Sequence, residues 1–231
     1  MAKSKKADTT DNIEIVENAL GRTEQFIEDN KKILTIIVVA IVVIVGGYLG
    51  YTKLYVAPME DEARSQMFVA EQYFEKDSFK LAINGDGNYL GFLGIIDQYG
   101  ITKAGNLAEY YAGISYLHLR QFQQAIDHLK NFSTNDKMIA PIALGAIGDA
   151  YLELHNNSEA ISYYEKAIKK ASENKFIAPI YLMKLGFAYE VDNKYQKALE
   201  TYQRIDNEYA KTSEGRNIEK YIQRAKLKLG K

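Results

Sequence analysis

A four-position rhythm recurs through the second half of this chain. Gly113, Gly148 and Gly186 are each followed three residues later by a tyrosine, Tyr116, Tyr151 and Tyr189. Nine residues beyond each tyrosine stands an alanine, Ala125, Ala160 and Ala198, and four further on a large residue, Leu129, Tyr164 and Tyr202. The period is 35 residues and then 38. The tetrapeptide IAPI occurs twice, at 139–142 and 177–180, with its proline seven residues before the glycine. Proline there suits the first turn of a helix, where its missing N–H is not needed. The pattern is steric. Small residues at Gly148 and Ala160 let two antiparallel helices approach closely, and Tyr151 and Tyr164 fill the space around that contact. The polar breaks LRQF (119–122), HNNS (155–158) and DNKY (192–195) are the hairpin turns. One such hairpin cannot bury its own apolar face, so the units must stack.

Both ends of the array carry related segments. MEDEARSQMFVAEQYFEKDSF, from residue 59, places Ala63, Met67, Ala70 and Phe74 on one helical face. NYLGFLGIIDQYG (88–100) reads as a short second helix, with NGDG (84–87) as the turn between them. TSEGRNIEKYIQRAKLKLG, from 212, places Ile218, Tyr221, Ile222, Ala225 and Leu229 on one face and lysines and arginine around the rest. That is the pattern of a terminal capping helix, apolar inward and charged outward.

The second constraint is ILTIIVVAIVVIVGGYLGYT, residues 33–52, which contains no charge. At 1.5 Å per residue it spans about 30 Å, the thickness of a bilayer's hydrocarbon core. Eleven of its first thirteen residues are Ile, Leu or Val, which favours insertion by about 3 to 6 kcal/mol. A cleaved secretory signal does not fit: a polar stretch of 32 residues precedes the run, the run is too long for a signal core, and no small-x-small cleavage site follows. Lys3, Lys5, Lys6, Arg22, Lys31 and Lys32 precede the run, against Lys53 and Arg64 after it. The excess of basic residues orients the N-terminus to the cytoplasm and exports the C-terminal part. Tyr48, Tyr51 and Tyr55 crowd the exit end as an interfacial belt. Gly46 and Gly50 form a single GxxxG. Upstream, Ile13, Val16, Leu20, Thr23 and Ile27 fall at helical spacing on one narrow stripe. The stripe suits either a helix lying on lipid headgroups or one docking on a membrane partner; in the second case Ile13, Val16, Leu20 and Ile27, with Ile37, Gly46 and Gly50 in the span, are the contact residues. The expected organisation is a cytoplasmic tail over 1–32, a span over 33–54 and a repeat domain over 55–231. Its units run over roughly 59–100, 104–133, 138–172 and 176–210, with a cap over 212–229.

Composition excludes several functions. The net charge of −1 gives no basic field for nucleic acid. The absence of cysteine removes disulfides, thiol catalysis and cysteine-ligated zinc. His118, His128 and His155 share no metal-ligand spacing, and His155 falls in a turn. NGDGN lacks the alternating oxygen ligands of a calcium loop and the Gly-Lys-Ser/Thr of a phosphate loop. No nucleophile, base and orienting group can be assembled, so neither catalysis nor a cofactor is expected.

The repeat resembles the tetratricopeptide repeat (TPR). The small residue at its eighth position, the aromatic at its eleventh and the alanine at its twentieth match in three copies. The usual tryptophan at the fourth position is replaced by Glu109, Leu144 and Leu182, and the late proline by Lys137 and its equivalents. The resemblance implies an all-α chain: one transmembrane helix, then an α-solenoid of about three to four hairpins closed by the capping helix. It also implies a concave groove lined by the first helix of each unit at positions two, five, nine and twelve. Carried over, these are Leu107, Tyr110, Ile114 and Leu117; then Ile142, Gly145, Asp149 and Leu152; then Ile180, Met183, Phe187 and Glu190. Such a groove is mostly apolar, with one acid in each later unit and none of the Lys, Arg or Asn that hold charged peptide ends. It either takes extended or partly unfolded chain or is covered by the array itself or a second copy.

The whole arrangement resembles the YfgM-like proteins, ancillary subunits of the SecYEG translocon, most specifically at the junction FIEDNKKIL before the span. That likeness implies an inner-membrane protein with a periplasmic repeat domain. Its partners would be translocon subunits, emerging client polypeptides and periplasmic folding factors. The alternative is a scaffold of an envelope-assembly, cell-division or secretion complex.

Overall fold

The computed structural model describes residues 25–171 and 174–230. The chain divides into two compact units, Met1–Val56 and Ala57–Lys231. In the first, helix α1, Lys31–Tyr51, buries none of its residues and passes into a π-helical turn at Thr52–Val56. Among the described residues it is the apolar segment of a length and composition that could cross a membrane. The Thr52 hydroxyl donates to the Tyr48 and Leu49 carbonyls at 3.0 and 3.1 Å, where the helical turn widens. A Cβ at Gly46 or Gly50 would meet nothing within 4 Å, so the GxxxG faces open space. Ile27 and Ile37 are half exposed, and Ile13, Val16 and Leu20 lie outside the described residues.

The second unit is a stack of helical hairpins. α2, Ala57–Glu75, pairs with the short α3, Phe79–Asn84. α4, Phe92–Tyr99, leads into α5, Lys103–His118, which pairs with α6, Phe122–Asn131. α7, Ile139–Glu153, pairs with α8, Asn157–Lys170, and α9, Ile177–Val191, with α10, Tyr195–Tyr209. The chain closes with α11, Ser213–Arg216, and α12, Glu219–Lys228. The expected single capping helix is thus broken at Asn217, and its inner face holds: Ile218, Ile222 and Ala225 are buried.

The recurring glycine works as its spacing predicts. A Cβ on Gly148 would lie 2.7 Å from the Tyr164 ring, one on Gly186 2.2 Å from the Tyr202 ring, and one on Gly113 2.5 Å from Leu129. Each ring or branched chain occupies the space that a Cβ on the partner helix would need. Ala125, Ala160 and Ala198 are fully buried opposite.

Each hairpin turn is one device. Arg120, His155 and Asn193 adopt left-handed φ values of 59°, 58° and 57°. The next N–H in each case donates back to the carbonyl of the repeat tyrosine: Gln121 to Tyr116, Asn156 to Tyr151 and Lys194 to Tyr189. The same device occurs a fourth time. Asp77 has φ 55°, and Ser78 N–H donates to Tyr73 O at 2.8 Å. The first turn therefore lies beside Asp77 and not at NGDG. Buried Ala70 and Ala82 hold the places of the repeat glycine and alanine. NGDG instead leads out of α3. Gly85 (φ 81°) forms an isolated antiparallel bridge with Leu90, and a Cβ there would strike the Tyr89 carbonyl at 2.2 Å.

The helix starts come in two kinds. Thr102 donates to Tyr99 O (2.6 Å) and accepts from Gly105 N–H (2.9 Å). Thr212 repeats this with Tyr209 (2.8 Å) and Gly215 (3.1 Å). Asp136 and Asn174 instead cap the segments before α7 and α9, accepting from Met138 and Ile139 and from Phe176 and Ile177.

Candidate functional site

The two later units meet in a cleft of about 300 Å³, the lower end of the range for ligand-binding cavities. Asp149 and Leu152 of α7 form one side, Met183, Lys184 and Phe187 of α9 the other, and Tyr164 and Tyr221 complete it. Four of the expected groove residues, Asp149, Leu152, Met183 and Phe187, are brought together here. Phe187 is 49% exposed, so its ring faces solvent without partners over half its surface.

The polar part of the cleft is an internal network. Tyr164 Oη donates to Asp149 Oδ1 at 2.7 Å, and Lys184 Nζ donates to both Asp149 oxygens at 2.8 and 2.6 Å. Burial, and then the negative charge of Asp149, push the Tyr164 phenol far above its ordinary range, so it stays a neutral donor. Glu190 is likewise engaged: Arg224 Nε donates to its Oε1 at 3.1 Å and the second nitrogen to Oε2. That hydrogen bond is the leading reason the guanidinium is held charged more firmly than usual. Arg224 also lies over the Tyr221 ring, 4.9 Å from its centre.

These contacts correct the expectation of a groove without basic residues. Lys184 and Arg224 are present and already paired with the two acids. Both fall outside the four groove positions of a unit, so a per-unit reading passes over them. Their separations from their partners, 35 and 34 residues, are the available signal: an acid and a base one period apart.

The remaining expected groove residues do not join the cleft. Leu107 borders a separate hollow with Glu60, Arg64, Met67, Glu71 and Lys103. Tyr110, Ile114 and Leu117 are half-buried against Ile126 and Leu129 of their own unit and Ala143, Ala146, Ile147 and Ala150 of the next. Ile142 packs partly against the largest core cluster, while Ile180 is 40% exposed. Gly145 is not a groove position: a Cβ there would lie 1.9 Å from the Tyr181 ring, which covers it. The histidines are also placed. His118 stacks on Phe79 with 4.4 Å between ring centres. His128 Nδ1 lies 2.6 Å from Glu109 Oε2 while its ring stacks on Tyr116, a carboxylate pairing that residue spacing did not disclose. Exposed His155 is one of the left-handed turn residues.

The family model described as "Tetratricopeptide repeat" matches residues 110–175 and 145–211. Two solved structures of a putative kinesin light chain with nearly identical TPR-like repeats, from Podosopora anserina, match with TM-scores of 0.57 and 0.58 at 14% and 15% identity. Each match covers 74% of this chain and 88% of the other. The structure of MamA protein matches with a TM-score of 0.53 at 18% identity, over 73% of this chain and 92% of that one. No curated protein matches. At these identities the structural likeness concerns the fold. With the family match over residues 110–211, it shows an all-α, TPR-like helical repeat.

Proposed function

We propose that this chain is a membrane-anchored TPR adaptor that engages polypeptides through the α7–α9 cleft and serves as a non-catalytic accessory of the Sec translocon. In this reading α1 spans the inner membrane with its N-terminus in the cytoplasm and the repeat unit in the periplasm. The observation that carries the binding part is the half-exposed Phe187 beside Met183, Leu152 and Tyr221 in a cleft whose charges are internally matched. Such a surface offers an apolar side chain a place to bury but offers a charged terminus no unsatisfied partner. The ligand is therefore the apolar stretch of an extended or partly unfolded chain. Anchoring raises the effective concentration of such a cleft for chains emerging at the same membrane, so modest affinity suffices. The translocon assignment rests on the FIEDNKKIL junction and the stripe of Ile13, Val16, Leu20 and Ile27. Scaffolding of another envelope machine uses the same cleft.

Two measurements test this. Met183→Glu and Phe187→Lys are expected to weaken capture of an apolar model peptide about tenfold or more, as loss of a buried anchor does, with the helical circular-dichroism signal unchanged. Loss of helicity at room temperature in both variants would show those side chains to be core and remove the cleft. Photocrosslinkers at Ile13, Leu20 and Ile37 in cells are expected to reach translocon subunits. Crosslinks confined to division or secretion components would reject the Sec role while leaving the adaptor reading intact.

A further inference from the structure

The two ion pairs that join the later units differ in how far they close. Glu190 is held on both oxygens by the fork of Arg224 and keeps only 12% of its side chain exposed. Asp149 and Lys184 keep 31% and 38%, and both line the α7–α9 cleft. Whatever hydrogen-bonding capacity this second pair retains therefore faces the cleft.

A carboxylate offers about four acceptor positions, two on each oxygen, and an ammonium offers three donors. Asp149 Oδ1 accepts from Tyr164 Oη at 2.7 Å and from Lys184 Nζ at 2.8 Å, which fills it. Burial, and then the charge of Asp149, keep the Tyr164 phenol protonated, so its bond to Oδ1 is permanent. Among the described residues, Oδ2 accepts from Lys184 alone, at 2.6 Å. Lys184 Nζ spends two donors on these oxygens, and the centre of the Tyr181 ring, 5.7 Å away, is beyond hydrogen-bond reach. One acceptor position on Oδ2 and one donor on Nζ are left side by side.

A charged group does not suit this arrangement, because a carboxylate would meet Asp149 and an ammonium would meet Lys184. The main chain does suit it. Each residue carries one donor and one acceptor, and in an extended segment the N–H and C=O of one residue turn to the same side, as in the antiparallel pair that exchanges both bonds. The same residue brings a side chain for the apolar walls formed by Leu152, Met183 and Phe187. The side-chain amide of asparagine or glutamine brings none.

We propose that the Asp149–Lys184 pair is a main-chain clamp. It takes one residue of an uncharged, extended segment, whose N–H donates to Asp149 Oδ2 and whose C=O accepts from Lys184 Nζ while its apolar side chain lies against Phe187. The inference rests on the reading of the cleft as the polypeptide-binding site. It adds that the cleft reads the backbone, which every polypeptide shares, and so accepts apolar stretches of different sequence.

The test is an ester scan. The full-length chain in lipid nanodiscs is titrated with a capped, uncharged peptide carrying one phenylalanine between valines, and with analogues in which each main-chain N–H in turn is replaced by an ester oxygen. One position is expected to weaken binding about tenfold, as loss of a hydrogen bond to a charged group does. In Asp149→Asn, which keeps the shape and loses the charge, that penalty is expected to shrink to about twofold, with the helical circular-dichroism signal as the check on folding. Should that variant unfold, the scan on the parent chain still decides. Equal binding by all the esters, while Phe187→Lys weakens capture, overturns the clamp and leaves the cleft standing. Phe187→Lys without effect overturns cleft and clamp together. An undiminished penalty in Asp149→Asn assigns the bond to another group and overturns the clamp. Affinity regained when glutamine replaces a valine of the ester peptide assigns the site to side-chain amides. Tighter binding by the same peptide with a free C-terminal carboxylate shows that Lys184 leaves Asp149 for a charge; either result overturns the clamp.

Discussion

At the scale of single residues, the repeat is held by bare backbone beneath a flat ring. Gly148→Ala puts a methyl 2.7 Å from the Tyr164 ring, whose hydroxyl is fixed on Asp149 and cannot swing away without breaking that bond. The expected cost is about 1 to 3 kcal/mol of overpacking, read as a lower melting temperature by circular dichroism. Gly186→Ala, with 2.2 Å available, should cost at least as much. Unchanged melting in both would mean that the rings are not pinned. This contact was legible in the sequence because it is local: glycine and ring are sixteen residues apart in one hairpin. The Asp149–Lys184 and Glu190–Arg224 pairs were not, because they form only when one unit stacks on the next. A charge read within its own unit looks like a free groove acid.

At the scale of elements, the start of α5 is where the worn first hairpin is tied to the regular array. Glu60 of α2 accepts from the N–H groups of Lys103 and Ala104 at 2.7 and 3.1 Å while holding Arg64. Burial pushes its carboxyl up, but the Arg64 and backbone hydrogen bonds together outweigh this and hold it below the ordinary value. A carboxyl depressed on folding stabilises the fold above its unfolded value, about 4.3, and that contribution fades as pH falls through the lower folded value. Glu60→Gln should therefore melt below the parent chain at pH 7, and the gap should close below about pH 4. A gap that persists in acid would show packing, not charge, to be responsible. Thr102→Val removes the adjoining cap and should cost about 1 kcal/mol, with Thr212→Val similar, checked by urea titration. The first hairpin itself was only half legible. Its helices were visible as apolar faces, but Ala70 stands where the repeat has glycine and α3 is only six residues long. The glycine-rich NGDG then drew the turn to the wrong place. Asp77, one of four left-handed turn residues of four different types, shows that the geometry recurs where the residue does not.

At the scale of the whole molecule, the repeat unit behaves as a line of neighbours. Its final segment covers Tyr202 and Ile205, both fully buried, with Ile218, Ile222 and Ala225. Truncation after Ala210 should expose that face, so limited proteolysis is expected to cut α9 and α10 rapidly while α5 to α8 stay protected. Uniform protection would show the cap to be dispensable, and uniform loss would show the array to be one cooperative block. The ties between units carry a further consequence. Asp149 finds its base in the following unit and Glu190 finds its own in the cap, whereas the first regular unit has Ile114 where the second has Asp149. The hairpins are therefore addressed and not interchangeable. Excising the middle one would bring an isoleucine opposite Lys184, and duplicating the last would set Phe187 there, so a lineage of such chains cannot change length by copying a module without rewriting the charges at each new seam.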